Sequence, residues 1–142
     1  MNKSCRFLAI AALCASPLLV FAHGDVTPQK VDTKDLPKLK GPLTVNPYRD
    51  DPKAFKTAVD VGSHAYGQNC ARCHGLGAVS GGIAPDLRYT PAGKEGDEYV
   101  AMRIRNGSIR NGVTYMPAFG ELFSEEAIWA LRSFMDSVHV DE

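Results

Sequence analysis

The feature that most constrains this chain is the run Cys70-Ala71-Arg72-Cys73-His74. Two thiols three positions apart, with an imidazole directly after the second, form the attachment signature of c-type haem. Each thiol adds across one vinyl group of the porphyrin, and the histidine reaches the iron. One helical turn supplies this geometry, because residues three and four apart share a helix face. The run therefore predicts one covalent haem (heme c) per chain, with His74 as an iron ligand.

Two other kinds of site also use a Cys-x-x-Cys pair. A structural zinc site needs two more nitrogen or sulfur ligands at matching spacing, and no cysteine follows Cys73. A thioredoxin-like redox pair opens a helix after a strand, and nothing upstream of Cys70 has the alternation of a strand. Haem attachment is therefore the hypothesis favoured over both.

The first 22 residues have the pattern of a secretory signal peptide. Lys3 and Arg6 precede an apolar run over residues 7–20, and Ala22 is a small residue at the cleavage position. The run is too short for a membrane span of about 20 apolar residues. We expect cleavage after Ala22, a periplasmic mature protein and no stable membrane insertion. Cleavage would also remove two of the four cysteines.

The charge balance excludes several kinds of partner. Sixteen Lys and Arg residues stand against sixteen Asp and Glu residues, and loss of Lys3 and Arg6 leaves the mature chain slightly acidic. There is no basic stripe for nucleic acid and no polybasic segment for a membrane surface. A protein partner must then be found through local patches. We expect a monomer.

Residues 23–51 are rich in proline and keep no helical or strand period. We interpret them as an extended arm that packs on its own domain, and an arm that binds a partner is the alternative. Residues 52–142 are expected to form the domain itself.

The first helix of that domain leads directly into the two cysteines. Asp51 suits the N-cap and Pro52 the first helical position. Small and apolar residues then recur at three- and four-residue spacings as far as Asn69. Gly62 in mid-helix costs about 1 kcal/mol relative to Ala. We therefore expect another helix to cross closely at Gly62.

Downstream of the motif, glycines over residues 75–82 exclude regular structure. A short helix is predicted from Gly96 or Asp97 to Asn106, and a loop from there to Pro117. The candidate inner residues of the short helix are Tyr99, Met102, Arg103 and Ile104.

The last helix has the clearest period. Ser124 is its predicted N-cap, and acidic residues in its first turn suit the helix dipole. Arg132 and Asp136 are expected on its outer side. The apolar stripe consists of Ala127, Ile128, Leu131, Phe134, Met135 and Val138.

Met116 is the expected second ligand of the iron. It lies in a predicted loop where nothing else requires an apolar side chain, and Pro117 stiffens the chain beside it. Met102 and Met135 fall on helix faces, where methionine more often fills a core. A thioether raises the reduction potential and blocks the sixth position, which favours an electron carrier over an enzyme. A haem enzyme or ligand sensor with an open sixth site is the alternative.

The second ring nitrogen of His74 needs a hydrogen-bond acceptor. A carbonyl group in the Ala84-Pro85 turn is the candidate, and Leu87 is then expected to pack on the haem face. The partners of the haem propionates stay open among Arg72, Arg88, Arg103, Arg105 and Arg110.

Together these residues resemble the class I c-type cytochromes over about residues 53–138. The resemblance rests on Gly62 and Tyr66 before Cys70, the attachment motif, Ala84-Pro85-Asp86-Leu87 in place of the family's G-P-N-L, Met116-Pro117, and Trp129 and Phe134 in the last helix. It implies an all-α monohaem domain whose first and last helices cross, working as an electron carrier with no catalytic residues.

A narrower resemblance is to the PedF-type periplasmic cytochromes. It concerns the start of the arm and the run from Asn69 to Leu87. It implies that a quinoprotein (PQQ-dependent) alcohol dehydrogenase is the electron donor, in alcohol oxidation. An oxidase or another cytochrome is the implied acceptor.

Overall fold

The computed structural model describes residues 27–141. The predicted signal peptide and its cleavage site lie outside these residues. The described part is mostly helical, which confirms the predicted fold class, and one small antiparallel sheet is added to it. Its elements are α1 (Pro52–Asn69), α2 (Ala71–His74), α3 (Lys94–Asn106), β1 (Ser108–Arg110), β2 (Val113–Met116) and α4 (Glu125–Ser137), with 3-10 turns at Leu76–Ala78 and Leu87–Tyr89. None of these helices is both long and apolar enough to cross a bilayer.

Helices α1 and α4 cross at Gly62, as the mid-helix glycine predicted. A Cβ at this position would collide with the backbone carbonyl of Ala130 and lie 3.0 Å from the Cβ of Phe134. The aromatic rings of Tyr66 and Phe134 pack beside the crossing, with centroids 4.9 Å apart. The absence of a side chain at Gly62 thus sets how closely the two helices approach.

Helix α4 is buried on all sides over residues 126–135, so the predicted outer side is wrong. Arg132 is fully buried, and its Nε donates to Asp97 Oδ1 at 2.8 Å. Arg49 pairs with the two carboxylates that surround Arg132, with 2.7 Å contacts to Asp97 and Asp136. Charges can be buried here because each has an opposite charge within hydrogen-bond distance.

The described part of the arm, residues 27–51, docks along the helices. The backbone N–H of Leu39 donates to Glu126 Oε1 at 3.0 Å. The side-chain amide of Asn46 donates to Ser133 Oγ at 2.9 Å, and both groups are buried. These contacts cover the face of α4 that the periodicity left to solvent.

Helix α3 begins at Lys94, two or three residues before the predicted start at Gly96 or Asp97. Of the predicted inner residues, Ile104 is buried, whereas Tyr99 is 55% exposed and Met102 is 40% exposed, so the prediction is wrong for these two. The buried side of α3 is formed by Gly96, Asp97, Val100, Ala101 and Ile104, which lies against α4 rather than along the side that carries Met102.

The predicted loop between α3 and Pro117 contains a β-hairpin. Its two-residue turn is Asn111-Gly112, with φ of 51° and 76°. Two consecutive left-handed residues match the twist of a tight hairpin, and Asn-Gly is the preferred pair there. The hairpin brings its last residue, Met116, to the side of the domain that holds α2.

Candidate haem-binding site

A cleft of about 450 Å³ opens beside α2. All six predicted site residues line it: Cys70, Cys73, His74, Pro85, Leu87 and Met116. The rest of its wall is largely apolar and includes Tyr66, Val100, Ile104, Phe119, Leu131 and Met135. The fold therefore brings two thiols and an imidazole from one segment, and a thioether from a second, to one apolar space.

The attachment turn is fixed by backbone hydrogen bonds. The N–H of Cys70 still donates to Tyr66 O at 2.8 Å, so α1 runs directly into the motif. The N–H groups of Cys73 and His74 both donate to Cys70 O, at 3.1 and 3.0 Å. Gly75 then ends the turn at a φ of 83°, and the Tyr66 hydroxyl donates to its carbonyl at 3.0 Å. The two thiols and the imidazole are thus held on one helical turn.

Both thiols are free, and the environment of Cys70 does not suit a redox pair. Burial, together with the neighbouring Cys73 thiol, raises the pKa of Cys70 to about 12. Reactive cysteines of thioredoxin-like sites have lowered pKa values, because only the thiolate attacks. The Cys70 thiol is therefore neutral near pH 7.

The orientation of His74 is set by the predicted hydrogen bond. Its Nδ1 lies 2.8 Å from the carbonyl oxygen of Pro85. A carbonyl can only accept, so Nδ1 carries a proton, and in the neutral imidazole this leaves the lone pair on Nε2. That lone pair is the form of imidazole that binds iron.

Asp86 braces the loop that presents the Pro85 carbonyl, and the sequence reasoning did not assign it this role. Its carboxylate accepts from the Ser80 N–H at 3.0 Å and from two side-chain nitrogens of Arg88 at 3.0 and 2.9 Å. The Arg88 guanidinium holds the pKa of Asp86 well below its usual range. An Asp directly before a helical turn is a common local cap, which was the available signal.

Two methionines, not one, line the cleft. Met116 is half-buried at the end of β2, and Met135 is buried on α4. Met102 lies outside the cleft lining. Met116 and Met135 are therefore both candidates for the sulfur ligand. The sequence predicted Met135 only as a core residue of α4.

The donor set fits haem c. Two free thiols match the two vinyl groups, and the imidazole has a nitrogen available. A thioether and apolar walls complete the cleft. These are the groups that hold a covalently attached porphyrin in a low-dielectric site.

Comparison with known proteins also indicates a cytochrome c. A family model described as cytochrome C oxidase, cbb3-type, subunit III matches residues 57–135. Cytochrome c550 of Pseudomonas aeruginosa is 52% identical over 145 residues, covering 100% of both chains. No solved structure gives a significant match.

Two further relatives are much longer than this chain. Quinohemoprotein alcohol dehydrogenase ADH IIB of Pseudomonas putida is 27% identical over 125 residues, covering 86% of this chain and 16% of that protein. Quinohemoprotein alcohol dehydrogenase ADH-IIG of the same species is 32% identical over 79 residues, covering 55% and 10%.

Proposed function

This chain belongs to the class I c-type cytochromes, electron carriers whose cofactor is covalently bound haem c, and we propose that it works between an alcohol dehydrogenase and the respiratory chain. The proposed donor is a quinoprotein (PQQ-dependent) alcohol dehydrogenase in the periplasm. The proposed acceptor is an oxidase or another cytochrome.

The observation that carries the carrier role is the convergence of Cys70, Cys73, His74 and Met116 on one cleft. We assign the two thiols to thioether attachment and Nε2 of His74 to the iron. Haem c, when bound, supplies a reversible one-electron change at its iron. The Pro85 carbonyl fixes the ring of His74 and strengthens its donor nitrogen.

Met116 is the proposed sixth ligand, in preference to Met135. It is half-buried at the end of a hairpin strand, whereas Met135 is buried among the core residues of α4. A thioether in the sixth position keeps small ligands away and favours the reduced state. Pro85 and Leu87 complete the wall next to His74.

The likeness to quinohemoprotein alcohol dehydrogenases supports the donor. Most of this chain matches a small part of one such enzyme. A segment like this chain is therefore built into an alcohol dehydrogenase in that protein. We infer that this chain does the same work as a separate protein. It would accept electrons from an alcohol dehydrogenase that has no cytochrome segment of its own, through a small and short-lived interface.

The donor is tested by stopped-flow reduction of the purified holoprotein. Candidate quinoprotein dehydrogenases, reduced by their alcohols, are mixed with the ferric protein across a range of ionic strengths. Reduction faster than by a small chemical reductant of similar potential supports the donor. If every dehydrogenase is no faster than that reductant, the donor assignment is wrong and the carrier role is untouched.

The sixth ligand is tested by spectra of three variants. Met116→Ala should lose the sulfur-to-iron charge-transfer band of the ferric protein and bind CO rapidly when reduced. Met135→Leu and Met102→Ala should keep the band. Loss of the band in Met135→Leu alone would move the ligand to α4. Rapid CO binding by the unmodified protein would instead favour the haem enzyme or sensor with an open site.

A further inference from the structure

The structure separates the five arginines that the sequence left open as propionate partners. Arg88 is engaged by Asp86, with an Nη2–Oδ2 distance of 2.9 Å. Arg105 is engaged by Glu125, with an Nη2–Oε2 distance of 2.8 Å. Arg72 is not part of the cleft lining. These three are therefore poor candidates for carboxylates inside the cleft.

Arg103 and Arg110 are different, because both line the cleft. Within residues 27–141 neither forms an ion pair with a carboxylate. Arg103 lies over the ring of Tyr99 at 5.4 Å and donates one N–H to the Gly107 carbonyl at 3.0 Å. Arg110 lies over the ring of Tyr115 at 5.8 Å. Each guanidinium is thus held by an aromatic face and keeps donors available.

A β-bulge explains how the second of these pairs reaches the cleft. Ser108 pairs with Met116, and the next residue, Ile109, pairs with Thr114. Tyr115 is therefore an extra residue with no partner on β1. In a regular strand, consecutive side chains point to opposite faces, so Tyr115 and Met116 could not both line one cleft. The bulge breaks this alternation, and both residues line it.

We propose that Arg103 and Arg110 bind the two propionate carboxylates of the haem, with Tyr99 and Tyr115 holding the guanidinium groups in place. Haem carries two carboxylates, and the cleft offers two arginines that have no carboxylate partner among residues 27–141. A carboxylate at the edge of an apolar cleft is costly unless a cation meets it, and the planar guanidinium fork matches its two oxygens. This inference rests on haem c as the cofactor and not on the identity of the electron donor.

The test measures redox equilibrium with small mediators and no protein partner. In Arg110→Gln a positive charge next to the haem is lost, which favours the more positive ferric form. At a fixed ambient potential the reduced-to-oxidised ratio should fall about fivefold, the size of effect expected when one charge is removed from a partly screened site. Arg103→Gln should act in the same direction. Arg72→Gln, which removes the same charge from beside the attachment turn, should leave the ratio within about twofold of the unmodified protein.

A direct readout separates propionate binding from a general charge effect. The propionate-bending band in the resonance Raman spectrum of the ferrous protein should shift in Arg110→Gln and Arg103→Gln but not in Arg72→Gln. Arg110→Lys keeps the charge without the fork, so it should restore most of the redox ratio while the band stays shifted.

The Arg110 variants decide the outcome, because Arg103 also supports Gly107 and its loss can disturb the hairpin. An unchanged ratio and an unchanged band in Arg110→Gln would overturn the proposal. So would an equal fall in Arg72→Gln. If no dehydrogenase reduced the protein, the proposed donor would be wrong, but these measurements would be unaffected.

Discussion

The backbone carbonyl oxygen of Met116 occupies the space that a side chain on Gly107 would need. A Cβ on Gly107 would overlap that oxygen and lie 2.7 Å from the Pro117 carbonyl carbon and 2.8 Å from the Ala118 nitrogen. Gly107 also has a φ of 65°, which glycine adopts without strain. Since Gly107 caps α3, this contact ties the end of a helix to the strand that carries the proposed sulfur ligand.

Gly107→Ala should therefore displace Met116. We expect it to lose the sulfur-to-iron charge-transfer band and to bind CO in the ferrous state. Gly112→Ala is the matched control, because it has a φ of 76° but open space around it. It should cost about 1–2 kcal/mol in the free energy of unfolding, the usual penalty for a left-handed residue, and keep the band. A band retained in both variants would show that the close contact does not position the sulfur.

Gly62→Ala should loosen the crossing of α1 and α4. The new methyl group would collide with the Ala130 carbonyl, so we expect a loss of about 1–3 kcal/mol in the free energy of unfolding. Gly67→Ala lies in the same helix with open space around the new atom, and it should stabilise the protein by up to about 1 kcal/mol. Urea unfolding of the two holoproteins checks this. Effects of the same sign would contradict it.

The sequence predicted features that a few neighbouring residues decide. The attachment turn, the Asp51 N-cap and the Ser124 N-cap all follow from local hydrogen bonding, and the structure shows both caps. The acceptor for His74 also lies within the next loop, at Pro85. Such features need no knowledge of how distant segments pack.

The features that it mispredicted depend on distant segments. Arg132 has the spacing of an outer residue, but Asp97 of α3 pairs with it, and Arg49 of the arm pairs with the same carboxylate. Helical periodicity carries no information about such partners. The hairpin was different, because Asn111-Gly112 between two short extended runs was a readable signal.

Asp97→Asn should lower stability in a way that depends on pH. Burial alone would raise the pKa of Asp97, but hydrogen bonds from Arg49 and Arg132 outweigh it and lower the pKa below its usual value. The carboxylate therefore stabilises the fold above about pH 4, and this contribution is lost as the pH falls through the lowered pKa. At pH 7 the variant should lose about 3–5 kcal/mol in the free energy of unfolding.

The difference between Asp97→Asn and the unmodified protein should narrow below about pH 4, as measured by urea unfolding over a pH series. Asp60→Asn is the control, because Asp60 forms an exposed ion pair with Lys56 at 2.9 Å. It should change stability by less than about 0.5 kcal/mol. If the difference in the free energy of unfolding between Asp97→Asn and the unmodified protein stayed constant down to pH 3, the assigned ion pairs would be contradicted.

Tyr48→Ala should release the arm from the domain. Tyr48 is 1% exposed, and its hydroxyl donates to the Pro37 carbonyl at 3.1 Å. Removing a buried aromatic ring costs about 3–5 kcal/mol, so we expect rapid protease cleavage within residues 27–51 of the holoprotein. Val45→Ala, at a position that is 41% exposed, should leave cleavage slow. Because Tyr48 does not line the haem cleft, the ferric spectrum should stay unchanged in both variants. An arm that is cleaved equally fast in the unmodified protein would show that its docking is weak in solution.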